Sequence, residues 1–200
     1  MRPKSTQKRT IRQQALEEFA KSVASGFGPG GGSTASAAAA IAAATAAKAA
    51  RLSALKRPVF EKDGKALDAL AQELMKLAQA DDEAYAGYLK ARKMPQATPA
   101  QKAKRAQAIA VAMKNALEIP VRAAELSAQI VKISRRLAKS APVAAVDAEI
   151  ADGLAAACAE GNLLLAHENL GFIKDKSLAS GAKRRIRAVE RAVRRAPTQH

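Results

Sequence analysis

Apolar residues recur along most of this chain at intervals of three and four positions. In residues 63–92, for example, Leu67, Leu70, Leu74 and Leu77 fall near one stripe of a helix. This spacing is typical of amphipathic α-helices, whereas a half-buried strand would alternate apolar and polar residues. No segment carries a strand signal, so the pattern predicts an all-α fold.

Glycine and proline interrupt this pattern and predict where the helices end. Thr98 followed by Pro99 is typical of a helix start, with an N-cap residue before a proline at the first helical position. Pro120 either kinks the helix that follows or begins another that continues to residue 139. We therefore expect an antiparallel bundle of about six helices. Their expected ranges are 11–25, 34–54, 63–92, 99–118 with its continuation or a further helix to 139, 144–174 and 181–195.

Alanine makes up about a quarter of the chain and is concentrated in residues 34–54. Alanine is the strongest helix former, and its small side chain lets neighbouring helices approach closely. Aromatic residues are 3% of the chain and tryptophan is absent, which disfavours a sheet. We expect the Ala-rich helix to be buried at the centre of the bundle.

The net charge of +16 is concentrated at the two ends of the chain. Residues 1–12 include five basic and no acidic residues, and residues 176–200 include eight basic residues and one acidic residue. We therefore expect a helical domain over 13–175, between a basic N-terminal arm and a basic C-terminal helix and tail. Such arms are either solvated or make weak contacts with nucleic acids and other polyanions.

The polar start of the chain and the absence of a long apolar segment favour a cytoplasmic protein that is not inserted in a membrane. The lone cysteine, Cys158, cannot form an intrachain disulfide, and we expect it to pack as a small buried side chain. His167 is expected to be an ordinary exposed or packed histidine. No grouping of His, Cys and Asp residues indicates a metal site.

The segment Pro29-Gly30-Gly31-Gly32-Ser33 leads directly into the Ala-rich helix. Consecutive glycines are expected where the backbone takes a positive φ or where a ligand approaches it closely. With Ser33 as the N-cap, free N–H groups at the helix start would form an anion-binding site. The alternative is a flexible loop. The segment differs from a Walker loop and from a dinucleotide-binding fingerprint.

Asp81 falls on or beside the apolar stripe of the third predicted helix. A partly buried carboxyl has a raised pKa, which suits a general acid or base at neutral pH. The alternative is a solvated acid on the helix surface, next to Asp82 and Glu83.

Further motifs follow in a characteristic order along the chain. Besides the glycine segment and the Ala-rich helix, they are Asp81-Asp82-Glu83-Ala84-Tyr85, Lys93-Met94-Pro95-Gln96-Ala97-Thr98, Arg105, Ile119-Pro120, Asp147 and Asn169-Leu170. In this order and spacing the chain resembles the cyclodeaminase/cyclohydrolase family over about residues 11–175. That family includes the cyclodeaminase half of formiminotransferase-cyclodeaminase and the stand-alone bacterial methenyltetrahydrofolate cyclohydrolases.

The resemblance implies an α-helical fold that works as a homodimer, with a folate bound between helices and between subunits. It implies no cofactor, since the tetrahydrofolate derivative is itself the substrate. By the same resemblance Asp81 is the catalytic acid or base, and the basic pair Lys56-Arg57 and the arms are candidates to attract a polyglutamate tail. The expected substrate-binding residues are Gly30, Gly31, Gly32, Ser33, Lys56, Arg57, Tyr85, Asp147 and Asn169.

The expected activity is hydrolysis of the methenyl bridge of tetrahydrofolate, as in methenyltetrahydrofolate cyclohydrolase. Deamination of formiminotetrahydrofolate, with release of ammonia, is the first alternative. A second is a ligand-binding protein that keeps the fold but has lost or changed the activity, because Leu165 stands where the family has the first of two paired asparagines. A third, a helical protein associated with nucleic acids, depends on the basic arms alone and lacks a recognition motif.

Overall fold

The computed structural model describes residues 15–26 and 28–194. In that part of the chain there are six α-helices and no β-strand, which confirms the predicted all-α bundle. The predicted basic arm, residues 1–12, and the end of the tail, residues 195–200, lie outside the described residues. The helices are α1 (Leu16–Ala24), α2 (Gly31–Ala54), α3 (Glu61–Arg92), α4 (Pro99–Ser140), α5 (Ala145–Leu170) and α6 (Lys176–Val193).

Helices that follow one another from α2 to α5 run antiparallel. Arg51 near the end of α2 pairs with Asp68 near the start of α3. Further along, a guanidinium nitrogen of Arg136 near the end of α4 lies 2.5 Å from a carboxylate oxygen of Asp63 at the start of α3. Short connections between consecutive helices favour this arrangement, because a chain that turns sharply packs the next helix beside the last.

Helix α2 occupies the centre, as its alanine content predicted. It contacts α3, α4 and α5, and many of its alanines have no solvent-exposed surface, among them Ala39, Ala42, Ala43, Ala46 and Ala47. The larger core side chains come mostly from its neighbours, such as Leu67 and Leu74 of α3 and Leu126 and Ile130 of α4. A helix without bulk lets three others pack around it closely enough to exclude water.

Helix α4 begins as predicted. The Thr98 side chain accepts a hydrogen bond from the backbone N–H of Gln101, the Gln101 side chain accepts one from the Thr98 N–H, and Pro99 occupies the first helical turn. This capping box satisfies two backbone donors that a helix start otherwise leaves free. The helix then continues through the buried Pro120 to Ser140, so the separate helix considered after Pro120 does not form.

Helices α5 and α6 differ from their predicted bounds. Helix α5 ends at Leu170 rather than at residue 174, and α6 begins at Lys176 rather than at 181. The Asp175 carboxylate caps α6 by accepting hydrogen bonds from the N–H groups of Ser177 and Leu178, at 2.8 and 3.1 Å. Asp175, as an N-cap residue, therefore marks the start of α6, which the apolar periodicity alone did not predict. The apolar side of α6, including Ile186, is buried against α4 and α5.

Candidate functional site

The glycine segment forms the start of α2. Gly30 is the N-cap in extended backbone (φ −85°, ψ −168°), and no side chain caps the helix. The prediction that Ser33 is the N-cap is therefore wrong, because the helix already begins at Gly31 and Ser33 lies within its first turn. The first intrahelical bond runs from Thr34 N–H to Gly30 O, at 3.0 Å. The N–H groups before Thr34 have no carbonyl within the helix to bind.

Asp81 of α3 lies against this exposed helix start. The Ser33 hydroxyl donates a hydrogen bond to Asp81 Oδ2 at 2.8 Å, and the Ser33 backbone also hydrogen-bonds the carboxylate. The positive end of the α2 dipole favours negative charge at this position. Two residues 48 positions apart are thus joined in one polar contact.

Gly32 makes this contact possible. A Cβ atom at position 32 would lie 2.6 Å from Asp81 Oδ1 and 2.7 Å from Leu165 Cδ2, well inside van der Waals distance. A Cβ at Gly30 or Gly31 would meet nothing within 4 Å. None of the three glycines has a positive φ. Gly32 therefore provides room for a carboxylate, while Gly30 and Gly31 leave exposed backbone beside it.

Burial controls the ionisation of Asp81. Loss of hydration raises the pKa of this carboxyl above its ordinary value, and the neighbouring negative charge of Asp82 raises it further. The hydrogen bonds from Ser33 act in the opposite direction, because they stabilise the ionised form, but they are weaker than the effect of burial. The pKa of Asp81 therefore lies closer to neutral pH than the pKa of a surface aspartate.

A cleft of about 830 Å³ opens in front of the glycine turn and Asp81. Both tyrosines of the chain, Tyr85 and Tyr88, line it together with Phe172. Tyr85 and Phe172 are 63% and 64% exposed, although aromatic rings are rare in this chain. Exposed rings gathered around one concave surface are typical of a site that stacks a flat ligand.

Asn169 lies on the opposite wall of the cleft, which α4 and α5 form. Its side-chain Nδ2 donates a 2.7 Å hydrogen bond to the carbonyl of Ala116. In a regular helix that carbonyl would accept from the N–H of residue 120, but Pro120 has no N–H. Asn169 therefore satisfies the backbone acceptor that Pro120 leaves unpaired. On the same wall, the Leu165 side chain extends towards Gly32.

The predicted residues Gly30, Gly31, Gly32, Asp81, Tyr85 and Asn169 all line this one cleft. Ser33 joins them through its bond to Asp81. Three further residues line the cleft that were not predicted from the sequence, namely Tyr88, Glu168 and Phe172. Tyr88 could have been found from its spacing, since residues at i, i+4 and i+7 from Asp81 share one helix face.

Three other predicted residues lie away from the cleft within this chain. Lys56 and Arg57 follow the other end of α2, whose 24 residues span about 36 Å. Arg57 donates to the carbonyl of Ser140 at 2.9 Å. Asp147, at the start of α5, forms an ion pair with Lys48 at 2.9 Å. A role for them at the substrate stays a prediction that requires a second chain.

Other candidate groups have ordinary surroundings. His167 is exposed, with Nε2 3.0 Å from Glu190 Oε1. Cys158 is buried as predicted, and burial raises the pKa of its thiol to about 11. Among residues 15–26 and 28–194, no group of three His, Cys, Asp or Glu side chains could hold a metal ion. No helix in the same residues is long and apolar enough to cross a bilayer.

Comparison with known proteins gives two positive findings. A family model described as formiminotransferase-cyclodeaminase matches residues 15–188. The fold is similar to the crystal structure of formiminotetrahydrofolate cyclodeaminase from Thermotoga maritima, with a TM-score of 0.80 and 23% sequence identity over 92% of this chain and 91% of that one. A comparison with curated proteins finds no match.

Proposed function

The chain belongs to the formiminotransferase-cyclodeaminase family, and we propose that it is a folate one-carbon enzyme which hydrolyses the methenyl bridge of 5,10-methenyltetrahydrofolate. The observation that carries the proposal is the partly buried Asp81 carboxyl, held by Ser33 at the start of α2 and facing a cleft with exposed aromatic rings. The family match supports a folate as the ligand.

The chemistry suits one carboxylate with a raised pKa. A methenyl-folate carries a delocalised positive charge over the two nitrogens and the carbon between them, and ionised Asp81 would stabilise that cation. The carboxylate would also take a proton from a water that attacks the bridge carbon. Return of this proton to the departing nitrogen would break its bond to the bridge carbon, and release of the remaining hydroxyl proton to water would leave a formyl group on the other nitrogen.

Formiminotetrahydrofolate cyclodeamination is the second candidate, and the similar fold of a cyclodeaminase from Thermotoga maritima favours it. In this reaction a folate nitrogen attacks the formimino carbon and ammonia leaves. Asp81 would then take the proton that the attacking nitrogen loses and transfer it to the departing amino group, which leaves as ammonia. The same residue at the same position serves both reactions, so the site geometry supports them equally.

The test supplies the two folates separately to the purified full chain and follows the methenyl chromophore. Hydrolysis makes the absorbance of 5,10-methenyltetrahydrofolate disappear, and deamination makes it appear from 5-formiminotetrahydrofolate. Absence of both reactions in a folded protein would overturn the proposal. If calorimetry then still detected folate binding, the chain would be a ligand-binding member of its family, as the substitution at Leu165 had suggested.

A homodimer is the assembly that we propose for this enzyme. Helices α2 and α5 pack side by side, and both carry exposed apolar side chains, namely Ile41 of α2 and Val146, Ile150 and Leu154 of α5. Exposed apolar residues in one patch are typical of an association surface. Light scattering on the full chain should give twice the chain mass, and an Ile150→Asp, Leu154→Asp variant should give the mass of one chain. A wild-type chain that stays monomeric would contradict it.

A further inference from the structure

Helix α6 has two sides of very different character. Its apolar side chains, such as Ile186 and Val189, are buried in the core against α4 and α5. Its other side is exposed and carries a row of cations that we name the basic face, namely Lys176, Lys183, Arg184, Arg187 and Arg191. On a helix with 3.6 residues per turn these five positions fall within about 100° of the circumference. They therefore form one continuous stripe of positive charge.

Two charged residues of α6 lie outside the basic face and have partners within the fold. Arg185 points to α4, where its Nη1 lies 2.6 Å from Glu118 Oε2 and its Nε lies 2.7 Å from Glu125 Oε1. Glu190, the only acidic residue of α6, has Oε1 3.0 Å from His167 Nε2. By contrast, the ion pairs among the described residues include no cation of the basic face. The described part of the fold therefore leaves the charge of this face unbalanced.

Both ends of α6 are fixed to the rest of the fold. Asp175 caps the start of the helix. At the other end, Arg135 of α4 donates to the carbonyls of Val193 and Ala192, at 2.8 and 3.0 Å. The basic face is therefore presented on a fixed helix of 18 residues, which spans about 27 Å. Cations held in this way lose less conformational freedom on binding than cations on a flexible arm.

The character of the basic face distinguishes among anionic partners. A helix that lies on an anionic membrane inserts its apolar side into the lipid, but the apolar side of α6 is buried in the core. Single-stranded nucleic acids are bound by aromatic rings that stack on the bases, and α6 has no aromatic residue. The phosphates of a duplex, in contrast, require only cations along a line. At about 3.4 Å per base pair, the 27 Å of α6 span about eight base pairs.

We propose that the basic face of α6 binds the phosphate backbone of double-stranded nucleic acid without sequence preference. The inference does not depend on the proposed function, because the residues that line the cleft all precede α6. It requires no recognition motif, since phosphate contacts position a protein on a duplex but carry no sequence information. Binding of this kind releases counterions, so it has a dissociation constant of about 10⁻⁴–10⁻⁶ M at physiological salt and weakens steeply as salt is added.

The test measures the fluorescence anisotropy of a labelled DNA duplex of about 20 base pairs and arbitrary sequence as the full chain is added at several salt concentrations. The triple variant Lys183→Gln, Arg187→Gln, Arg191→Gln should bind at least about 10-fold more weakly than wild type. Its plot of log K against log salt should be shallower by about 2–3, since each lost phosphate contact removes about 0.9 from the slope.

Two further variants serve as controls. Lys62→Gln, Lys65→Gln, Lys76→Gln removes the same charge from exposed positions on α3 and should change the affinity by less than about 3-fold, because charges far from the duplex are screened by salt. Replacement of Arg187 and Arg191 by lysine keeps the charge of the basic face and should keep most of the affinity.

Several outcomes would overturn the inference. A wild-type chain that does not bind the duplex would do so. Equal losses of affinity in the triple variant and the α3 control would assign binding to net charge rather than to the basic face. Tighter binding to a single strand of the same sequence, or to phosphatidylserine vesicles, with loss of that binding in the triple variant, would assign the face to another partner. Turnover of either folate is measured separately, and its absence would overturn the proposed function without affecting this inference.

Discussion

The two walls of the cleft use their polar groups differently. On the wall of α2 and α3, Ser33 and Asp81 bind each other at the edge of the open space. On the wall of α4 and α5, the Nδ2 of Asn169 is engaged by the carbonyl of Ala116. The first wall thus holds Asp81, a carboxyl group that can gain or lose a proton. The second wall holds Asn169, whose amide replaces the backbone hydrogen bond that Pro120 cannot donate.

The difference teaches how to interpret a polar residue near a ligand site. Asp81 is desolvated at a cost, since burial raises its pKa, and nothing in the packing of the core requires a carboxylate there. Asn169 has a structural reason to be present, because Pro120 removes the donor that Ala116 O would otherwise bind. A residue kept at an energetic cost is the better candidate for catalysis.

Among substitutions in the two walls, Asp81→Asn should have the largest effect on activity. Loss of the ionisable group should reduce kcat by about 10²–10⁴-fold, measured with both folates. The pKa of Asp81 is raised on folding, so its contribution to stability is present below the pKa of the unfolded state and is lost as pH rises through the folded pKa. At neutral pH the variant should therefore unfold at a higher denaturant concentration than wild type.

Glu83→Gln is the matched control for that change. Glu83 is exposed, lies two residues from Asp81 on the same helix and accepts a hydrogen bond from Gln79. It should leave kcat and stability nearly unchanged. Equal losses of activity in the two variants would mean that activity depends on local negative charge rather than on the partly buried carboxyl of Asp81.

Gly32→Ala should produce the next largest effect. The new methyl group would lie only 2.6 Å from the nearest Asp81 carboxylate oxygen and 2.7 Å from Leu165 Cδ2, so both must move. Both are ends of side chains that can rotate away, so the free energy of unfolding should fall by only about 1–3 kcal/mol. Activity should fall about 10²-fold, because the carboxylate is displaced.

Gly31→Ala provides the comparison for position 32. Nothing lies within 4 Å of its added Cβ, and position 31 has helical backbone. The substitution should raise the free energy of unfolding by about 0.4–1 kcal/mol. If both alanine variants were equally destabilised, the close approach at Gly32 would not be the feature that the glycine segment provides.

Asn169→Ala tests the second wall. Leaving the Ala116 carbonyl without a donor should lower the free energy of unfolding by about 1–3 kcal/mol. In a Pro120→Ala background the restored N–H can bind that carbonyl, so the same Asn169→Ala change should have a smaller effect. Denaturant unfolding of the four proteins completes the double-mutant cycle. Additive free energies would show that Asn169 does not compensate for Pro120.

Ser33→Ala should lower the free energy of unfolding by about 0.5–1.5 kcal/mol and should also change the pH dependence of activity. The hydrogen bond from the Ser33 hydroxyl lowers the pKa of Asp81, so its loss raises that pKa, while the hydrogen bond from the backbone of residue 33 remains. A general base must be ionised, and the acidic limb of the kcat/KM profile should therefore move to higher pH. A limb that does not move would assign it to another group.

The helices and their order follow from local information. Apolar spacing places Leu67 and Leu74 on one face, and Thr98 with Pro99 starts α4 where it was expected. The centrality of α2 follows from its composition, since a helix of alanines has no side chains that need solvent. The order of the motifs was sufficient to indicate the family that the match over residues 15–188 shows.

Local sequence patterns do not predict which side chains that are distant in sequence form contacts in the fold. The start of α2 was misplaced by three residues because Ser33 is a good cap by type, and only the packing of α3 shows that its hydroxyl binds Asp81 instead. Likewise, nothing near Asn169 in sequence reveals that its partner is the carbonyl left free by Pro120. Periodicity and capping depend on neighbours within a few residues along one helix, whereas these contacts depend on how four helices are placed side by side.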